Sequence, residues 1–176
     1  MGHQPFETIL QAHHGEIYRY LLRVTARSSD AEDLSQETFL RAYRAYRALP
    51  ADANVRAWLF AIATNLSRNH FRGEKRRRTA HDAARTRAER NGWMADAATP
   101  EGETVYRETR SLLDRVVAGL PLKQRAAFVL RKIHDLDYDA IARSLDCSAE
   151  SARAHVFQAL RKIRQSLEGR ELAAME

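Results

Sequence analysis

Two stretches of helix-spaced apolar residues, separated by a segment that has none, set the first limit on how this chain folds. The spacing runs from about residue 5 to 78 and again from about 104 to 170. Between them, Thr79 to Glu103 is rich in Ala, Arg, Asp, Thr and Gly and presents no sustained apolar face. Such a segment buries too little apolar surface to offset its ordering entropy, so it reads as a flexible linker. Trp93 and Met94 interrupt that pattern as two apolar side chains available for docking. No strand-like alternation persists anywhere, so the sequence predicts an all-α fold. A length of 176 residues suits one ordinary domain or two small ones. With 30% charged residues and 8% aromatics, the chain fills modest cores rather than one large one.

The helices can be placed from pattern and punctuation. Phe6, Leu10, His13, Ile17, Leu21 and Val24 recur at helical spacing and mark a first amphipathic helix. Ser29-Asp30-Ala31-Glu32 reads as a capping box opening a second, which runs to about Leu49 before Pro50 stops it. Pro50 to Asn54 is a short loop whose last residue can cap a third helix, with Val55, Leu59, Ile62, Ala63 and Leu66 on its apolar face. In the second part, Leu112, Leu113, Val116, Val117 and Leu120 end a helix at Pro121, and Ala126, Val129, Leu130 and Ile133 mark the next. Tyr138 to Leu145, capped by Asp137, and Ser148 to about Leu167, capped by Ser148, follow in close succession. Only Asp146-Cys147 joins them, which is the outline of a helix-turn-helix.

Charge is localised. Arg68 to Arg90 holds nine Lys/Arg against three Asp/Glu, which accounts for the whole net charge of +6. A concentrated basic stretch suits a polyanion, either nucleic acid or an acidic membrane surface, or it is a solvated linker rich in Arg. Cys147 is the single cysteine, so neither an intrachain disulfide nor a cysteine-based zinc site is expected. No apolar run approaches the roughly 20 residues that span a bilayer, and the N-terminus lacks a signal-peptide pattern. A cytoplasmic location, without direct membrane insertion, is the expectation.

Three surfaces stand out. On the last helix, Ala152, Val156, Leu160, Ile163 and Leu167 form the expected buried stripe. Arg153, Ala154, Phe157, Gln158 and Arg161 then face away near its N-terminal half, where a recognition helix meets base edges. Arg153 can take a guanine bidentately, Gln158 can pair with adenine, and Phe157 can touch a thymine methyl. A four-helix bundle with an ordinary solvated face fits the same pattern. On the third helix, Asn65, Arg68, Asn69 and Arg72 share one face, with Trp58 two turns upstream beside the Pro50–Asn54 loop. Asn and Arg on a ridge, an aromatic and a loop suit unstacked single-stranded bases, and a hydrophilic helix face is the plain alternative. On the second helix, Asp30, Glu32, Asp33, Gln36 and Glu37 precede Arg41 and Arg44, an order that suits the helix dipole. It also reads as a protein-docking surface, with Asp33, Gln36, Glu37 and Leu40 outward and Leu34, Phe39 and Ala42 inward.

Catalysis finds little support. A carboxylate metal site would call for a second acidic helix or an EF-hand-like loop, and the chain has neither. It has no Gly-rich phosphate loop and no nucleophile elbow. His13 and His14 point different ways on one helix, and Cys147 lies eight residues before His155 without further soft ligands. Neither a metal, a cofactor nor a small-molecule substrate is expected.

In this order, the pieces resemble the extracytoplasmic-function sigma factors, and the match covers nearly the whole chain outside the linker. Asp30 to Arg44 (DAEDLSQETFLRAYR) looks like the part of region 2 that grips the β′ clamp helices of RNA polymerase. Trp58 to Asn65 (WLFAIATN) with Arg68-Asn69 looks like the part that melts the minus-ten element. Tyr138 to Ala142 through Gln158 to Arg161 is similar to the minus-thirty-five reader of region 4. The resemblance implies a region 2 bundle of three to four helices at 5–78, a linker at 79–103 and a four-helix region 4 domain at 104–170. It implies core-polymerase contacts, involving the β′ clamp helices and the β subunit, at Asp30, Asp33, Gln36, Glu37, Leu40 and Arg41. Minus-ten contacts would fall on Asp52, Asn54, Trp58, Asn65, Arg68, Asn69 and Arg72, with a flipped base in the loop from Leu49 to Asn54. Minus-thirty-five contacts would fall on Arg153, Ala154, His155, Phe157, Gln158 and Arg161, with Lys123, Arg125 and Arg131 on phosphates. Relatives often carry Arg where Gln158 and Leu160 stand here.

A linker of about 25 residues spans at most roughly 80 Å, enough for two promoter elements separated by under two DNA turns, roughly 60 Å. The resemblance also implies an anti-sigma factor as partner and no bond chemistry. A stand-alone helix-turn-helix regulator is the competing reading; it would need neither the acidic docking helix nor the Asn/Arg ridge.

Overall fold

The computed structural model describes residues 4–82 and 113–173, all helices and their connections, with no strand among them. The chain divides into two compact units, one built from each of the helical stretches.

The first unit holds α1 (Phe6–Thr25), α2 (Ser28–Tyr46) and α3 (Val55–Asp82). α1 ends where Ala26 takes the left-handed conformation, φ 59°, and its N–H donates to the Leu22 carbonyl at 2.9 Å. Arg27 then adopts extended backbone and α2 starts at once, without a side-chain cap. The expected capping box at Ser29 and Glu32 therefore does not form. The reversal through Ala26 and Arg27 is so tight that Ser29 is already inside the helix. Asn54 behaves as read: its Oδ1 accepts the N–H of Ala57 at 2.9 Å and caps α3.

Ile17, Tyr20, Leu21 and Val24 of α1 pack with Ala31, Leu34, Phe39 and Ala42 of α2 and Leu59, Phe60 and Ala63 of α3. Ile9 and Tyr20 are buried where Leu10 and His13 were expected, and those two are half-buried at the edge. Likewise Ala57, Phe60 and Thr64 lie inside while Val55 and Ile62 are half-buried. The Tyr20 ring meets Phe60 edge to face, with centroids 5.3 Å apart. Its hydroxyl lies 2.7 Å from that of Thr64, which also reaches the Phe60 carbonyl at 2.7 Å. Burial raises the Tyr20 pKa far above the ordinary phenol range, so the hydroxyl stays neutral. Nearer the surface, Glu16 and Arg56 form a two-point ion pair between α1 and α3, and the guanidinium lies over Phe60.

α3 continues to Asp82, four residues past the expected domain end, so Thr79 to Asp82 are helical rather than linker. The remainder of the expected linker, with Trp93 and Met94, lies outside the described residues, as do residues 104–112 of the second expected domain.

The second unit contains α4 (residues 113–118), α5 (Leu122–Lys132), α6 (Tyr138–Leu145) and α7 (Ala149–Ala173). Its core gathers Val117, Leu120, Ala126, Val129, Leu130, Ile141, Leu145, Ala152, Val156, Ala159 and Ile163. Leu160, expected in the stripe, is 39% exposed, and Ile133 at the end of α5 is 44% exposed. The inward series is 152, 156, 159 and 163, so the small Ala159 takes the buried register position and Leu160 falls beside it. No helix among the described residues is long and apolar enough to cross a membrane.

Tyr20→Phe keeps the ring packing and removes one buried hydrogen bond, and is expected to cost about 1 kcal/mol. Tyr20→Ala, which also opens a cavity, should cost about 3–5 kcal/mol. Urea denaturation of the N-terminal unit, followed by circular dichroism, measures both.

Candidate nucleic-acid interface and docking face

α2 presents two different faces because its apolar residues fall at helical spacing. Leu34, Phe39 and Ala42 are buried, while Asp33, Gln36, Leu40 and Arg41 are exposed and Glu37 is half-buried. Glu37 Oε1 accepts from Arg41 Nε at 2.6 Å one turn on, which holds both side chains along the outer face. Leu40 is 52% exposed and Tyr43 61% exposed, so an apolar step lies within this polar row. Tyr43 was not singled out from the sequence, although its spacing of three from Leu40 puts it on the same face; Phe6 of α1 packs edge-on against its ring at 5.3 Å. Asp30, also expected among the polymerase contacts, stands apart from this row. Its carboxylate lies at the seam with α3, 3.3 Å from His70 Nε2 and 3.8 Å from Arg27.

On α3, Asn65, Asn69 and Arg72 are exposed and Arg68 is half-buried, in one row as the spacing required. Arg68 Nη1 lies 3.5 Å from Asn65 Oδ1, and Arg72 Nη2 donates to Asn69 Oδ1 at 2.9 Å. Each amide carbonyl thus faces an arginine, and the NH₂ groups are the donors such a row can offer to an acceptor such as a base edge. Trp58 is half-buried one helical stretch upstream, and Asp52 and Asn54 are exposed in the loop before it. Farther along, Arg72, Lys75, Arg76 and Thr79 share one face of α3 as a basic stripe. A ridge of amides followed by a cationic stripe suits a strand whose bases and phosphates run side by side.

The helix-turn-helix forms as outlined. Asp137 Oδ1 accepts the Ala140 N–H at 2.7 Å and caps α6, and Ser148 Oγ accepts the Ser151 N–H at 3.1 Å to cap α7. Between them Asp146 adopts φ 53° and ψ 61°, a left-handed geometry usually given to glycine, and Cys147 N–H returns to the Ala142 carbonyl at 3.1 Å. Short polar side chains tolerate that geometry better than most. The Cys147 thiol is half-buried in the turn.

Arg153, Ala154, Phe157, Gln158 and Arg161 are all exposed on α7, with Phe157 68% exposed. Two positions carry supports invisible to the sequence. The Arg153 guanidinium stacks over the Tyr138 ring at 5.0 Å, and Gln158 Oε1 accepts from Gln124 Nε2 of α5 at 2.7 Å. Half-buried His155 has an Nδ1 without a hydrogen bond. Its pKa is lowered, first by burial and then by the charge of Lys123.

The three expected phosphate contacts separate. Lys123 is exposed. Arg125 turns inward, donating to the Leu120 carbonyl at 3.0 Å and to that of Ala118, and burial lowers its pKa. It serves the end of α4, where carbonyls lack helical partners. Arg131 bonds the Leu136 carbonyl at 3.0 Å and Asp135 at 3.2 Å while lying over Tyr138 at 5.2 Å, so it braces the α5–α6 connection.

Family comparisons divide the chain at the same place. Residues 9–77 match Sigma-70 region 2, and residues 110–163 match Sigma-70, region 4. The ECF RNA polymerase sigma-E factor of Salmonella typhimurium is 32% identical over 135 residues, which cover 75% of this chain and 71% of the relative. The chain belongs to the extracytoplasmic-function (ECF) RNA polymerase sigma factors. The sigma-E factor of Haemophilus influenzae is 26% identical over 93% of this chain and 87% of its own. Among solved structures, the sigma factor RpoE in complex with the anti-sigma factor NepR from Bartonella quintana has the same fold, at TM-score 0.72 and 18% identity. It covers 93% of this chain and 96% of that one. CnrH in complex with the cytosolic domain of CnrY gives TM-score 0.66 at 20% identity, covering 93% of this chain and 88% of that one. As an ECF sigma factor, the chain is a transcription initiation factor that works with RNA polymerase and promoter DNA.

Because the folded pKa of His155 is lowered, the unfolded chain takes up that proton first as pH falls through the ordinary histidine value of 6.5. The folded state therefore loses stability on acidification, and His155→Gln should reduce the fall in melting temperature of the C-terminal unit between neutral pH and about pH 5. Thermal melts of both proteins across that range give the comparison.

Proposed function

We propose that this chain is an alternative sigma factor whose three exposed surfaces divide promoter recognition among them. The outer face of α2, with Asp33, Gln36, Glu37, Leu40, Arg41 and Tyr43, docks on the β′ clamp helices of core polymerase. The ridge Asn65, Arg68, Asn69 and Arg72, with Asp52, Asn54 and Trp58, takes the opened minus-ten strand, and the basic stripe beyond it follows the backbone. Arg153, Ala154, Phe157 and Gln158, with His155 and Arg161 beside them, read the minus-thirty-five element in the major groove. Lys123 is the phosphate contact of the C-terminal unit.

The observation that carries this reading is the coexistence, in one chain, of an acidic helix with an exposed apolar step and a recognition helix with exposed Arg153, Phe157 and Gln158. A stand-alone regulator has use for the second but not the first. The work is binding without bond chemistry. No catalytic group, cofactor or small-molecule substrate is needed, and the site of action is the cytoplasm, where the polymerase is. Tethering two DNA-binding units raises the effective concentration of each once the other is engaged. Capture of unstacked bases offsets the cost of opening the duplex. The Bartonella relative is recorded with an anti-sigma factor, and we extend that mode of control to this chain: a partner covering both units would silence it.

In vitro transcription from the promoter upstream of its own gene, and from a panel of other genomic promoters, tests the reading with purified core polymerase. Initiation should depend on the protein and fall to background in the double variant Asp33→Lys, Glu37→Lys. Arg153→Ala should weaken discrimination at one minus-thirty-five base pair by about 1–3 kcal/mol, roughly fivefold to a hundredfold or more in relative use of matched and mismatched promoters. Binding to palindromic DNA with no initiation on any promoter would establish the stand-alone regulator instead.

A further inference from the structure

The seam between α2 and α3 contains a group of side chains that promoter recognition does not use. Asp30 comes from the first turn of α2, and His70 and Glu74 lie one turn apart on α3. One ligand atom from each lies within 4.8 Å of the other two. His70 Nε2 is 3.3 Å from Asp30 Oδ2 and 3.9 Å from Glu74 Oε1, yet it is shut off from solvent and makes no hydrogen bond. The close approach to Asp30 is therefore not along the ring's bonding direction. The nitrogen stands beside both carboxylates without bonding to either, and a buried nitrogen left in that state carries a cost.

That space already attracts positive charge. Arg27 Nη1 lies 3.2 Å from Glu74 Oε1 and 3.8 Å from Asp30 Oδ2. Arg27 precedes α2 and its side chain is 56% exposed, so it can swing into water and leave the position to another cation.

The spacing fits a metal ion. Ligands bound tetrahedrally at about 2.0–2.1 Å stand roughly 3.3 Å from one another. The Asp30–His70 separation has that value, the His70–Glu74 separation is 3.9 Å, and the Asp30–Glu74 pair, within 4.8 Å, closes by side-chain adjustment. One imidazole with two carboxylates is a mixed nitrogen and oxygen donor set. It favours Zn²⁺ and neighbouring transition ions over Mg²⁺ and Ca²⁺, which take oxygen throughout.

We propose that Asp30, His70 and Glu74 form a site for a divalent transition-metal ion, Zn²⁺ foremost, that takes the place of Arg27 and ties α2 to α3. Water completes the coordination. The ion then joins the helix that carries the docking face to the helix that carries the Asn/Arg ridge, so its binding stabilises the N-terminal unit against unfolding.

The test uses the full chain, stripped with chelator and titrated with Zn²⁺ alone by calorimetry, with Co²⁺ absorption as an optical readout of the donor set. One saturable site is expected, with a higher melting temperature of the N-terminal unit. His70→Gln and Glu74→Gln should each weaken Zn²⁺ binding by more than about tenfold, while His13→Gln, remote from the seam, should leave it unchanged. Using two ligand variants keeps the result readable if one fails to fold, which circular dichroism reports. Wild-type affinity in a folded His70→Gln or Glu74→Gln protein, or no saturable binding at all, overturns the proposal. Because binding is measured on the isolated protein, its failure is distinct from any failure in transcription.

Discussion

A tyrosine hydroxyl sealed from water has to find a partner inside the protein, or the burial of its ring is offset by the lost hydration. Tyr20 finds Thr64 across the α1–α3 seam, and its ring stands edge-on against Phe60. The pairing fixes both the separation and the rotation of the two helices, because the hydrogen bond is possible at one register only. α2 closes the unit through Leu34, Phe39 and Ala42, all of which are buried. Everything that faces outward follows from that arrangement. The acidic row of α2 and the amide row of α3 are the faces left over when the shared core has taken its residues.

The C-terminal unit solves a different problem with short helices. α6 has eight residues and would not persist alone in water, so its ends are tied by Asp137 at one side and by left-handed Asp146 at the other. These two aspartates set the angle at which α7 leaves the turn, and hence which side chains of α7 reach outward. Tyr138 then acts as a stacking plate for Arg131 on one helix and Arg153 on another. Arg153 is thereby held in place in the free protein, which lowers the ordering cost of any contact it makes.

Legibility in the sequence followed the range of the interaction. Caps at Asn54, Asp137 and Ser148 were readable because a cap and its target lie within three residues. The faces of α2 were readable because apolar spacing repeats for five turns. Ser29 misled because the preceding turn is tighter than a cap requires, and Leu160 misled because a large apolar residue was preferred over the small Ala159 in the true register. Arg125 and Arg131 looked like surface cations because their partners are backbone carbonyls, which no sequence displays as acceptors. Asp30 and His70 meet only after α2 folds onto α3, and no local pattern joins them.

The inward turn of Arg125 has a consequence for how the C-terminal unit holds DNA in salt. Each phosphate neutralised by a protein cation releases counterions, and the number of such contacts sets how steeply affinity falls as salt rises. With Arg125 committed to the end of α4 and Arg131 to the α5–α6 connection, fewer cations on that unit take part in this exchange. In the proposed reading its hold then rests on Lys123 together with base contacts, and falls less steeply as salt rises. In that reading the steeper ionic dependence falls to the cations along α3, Arg72, Lys75 and Arg76 among them.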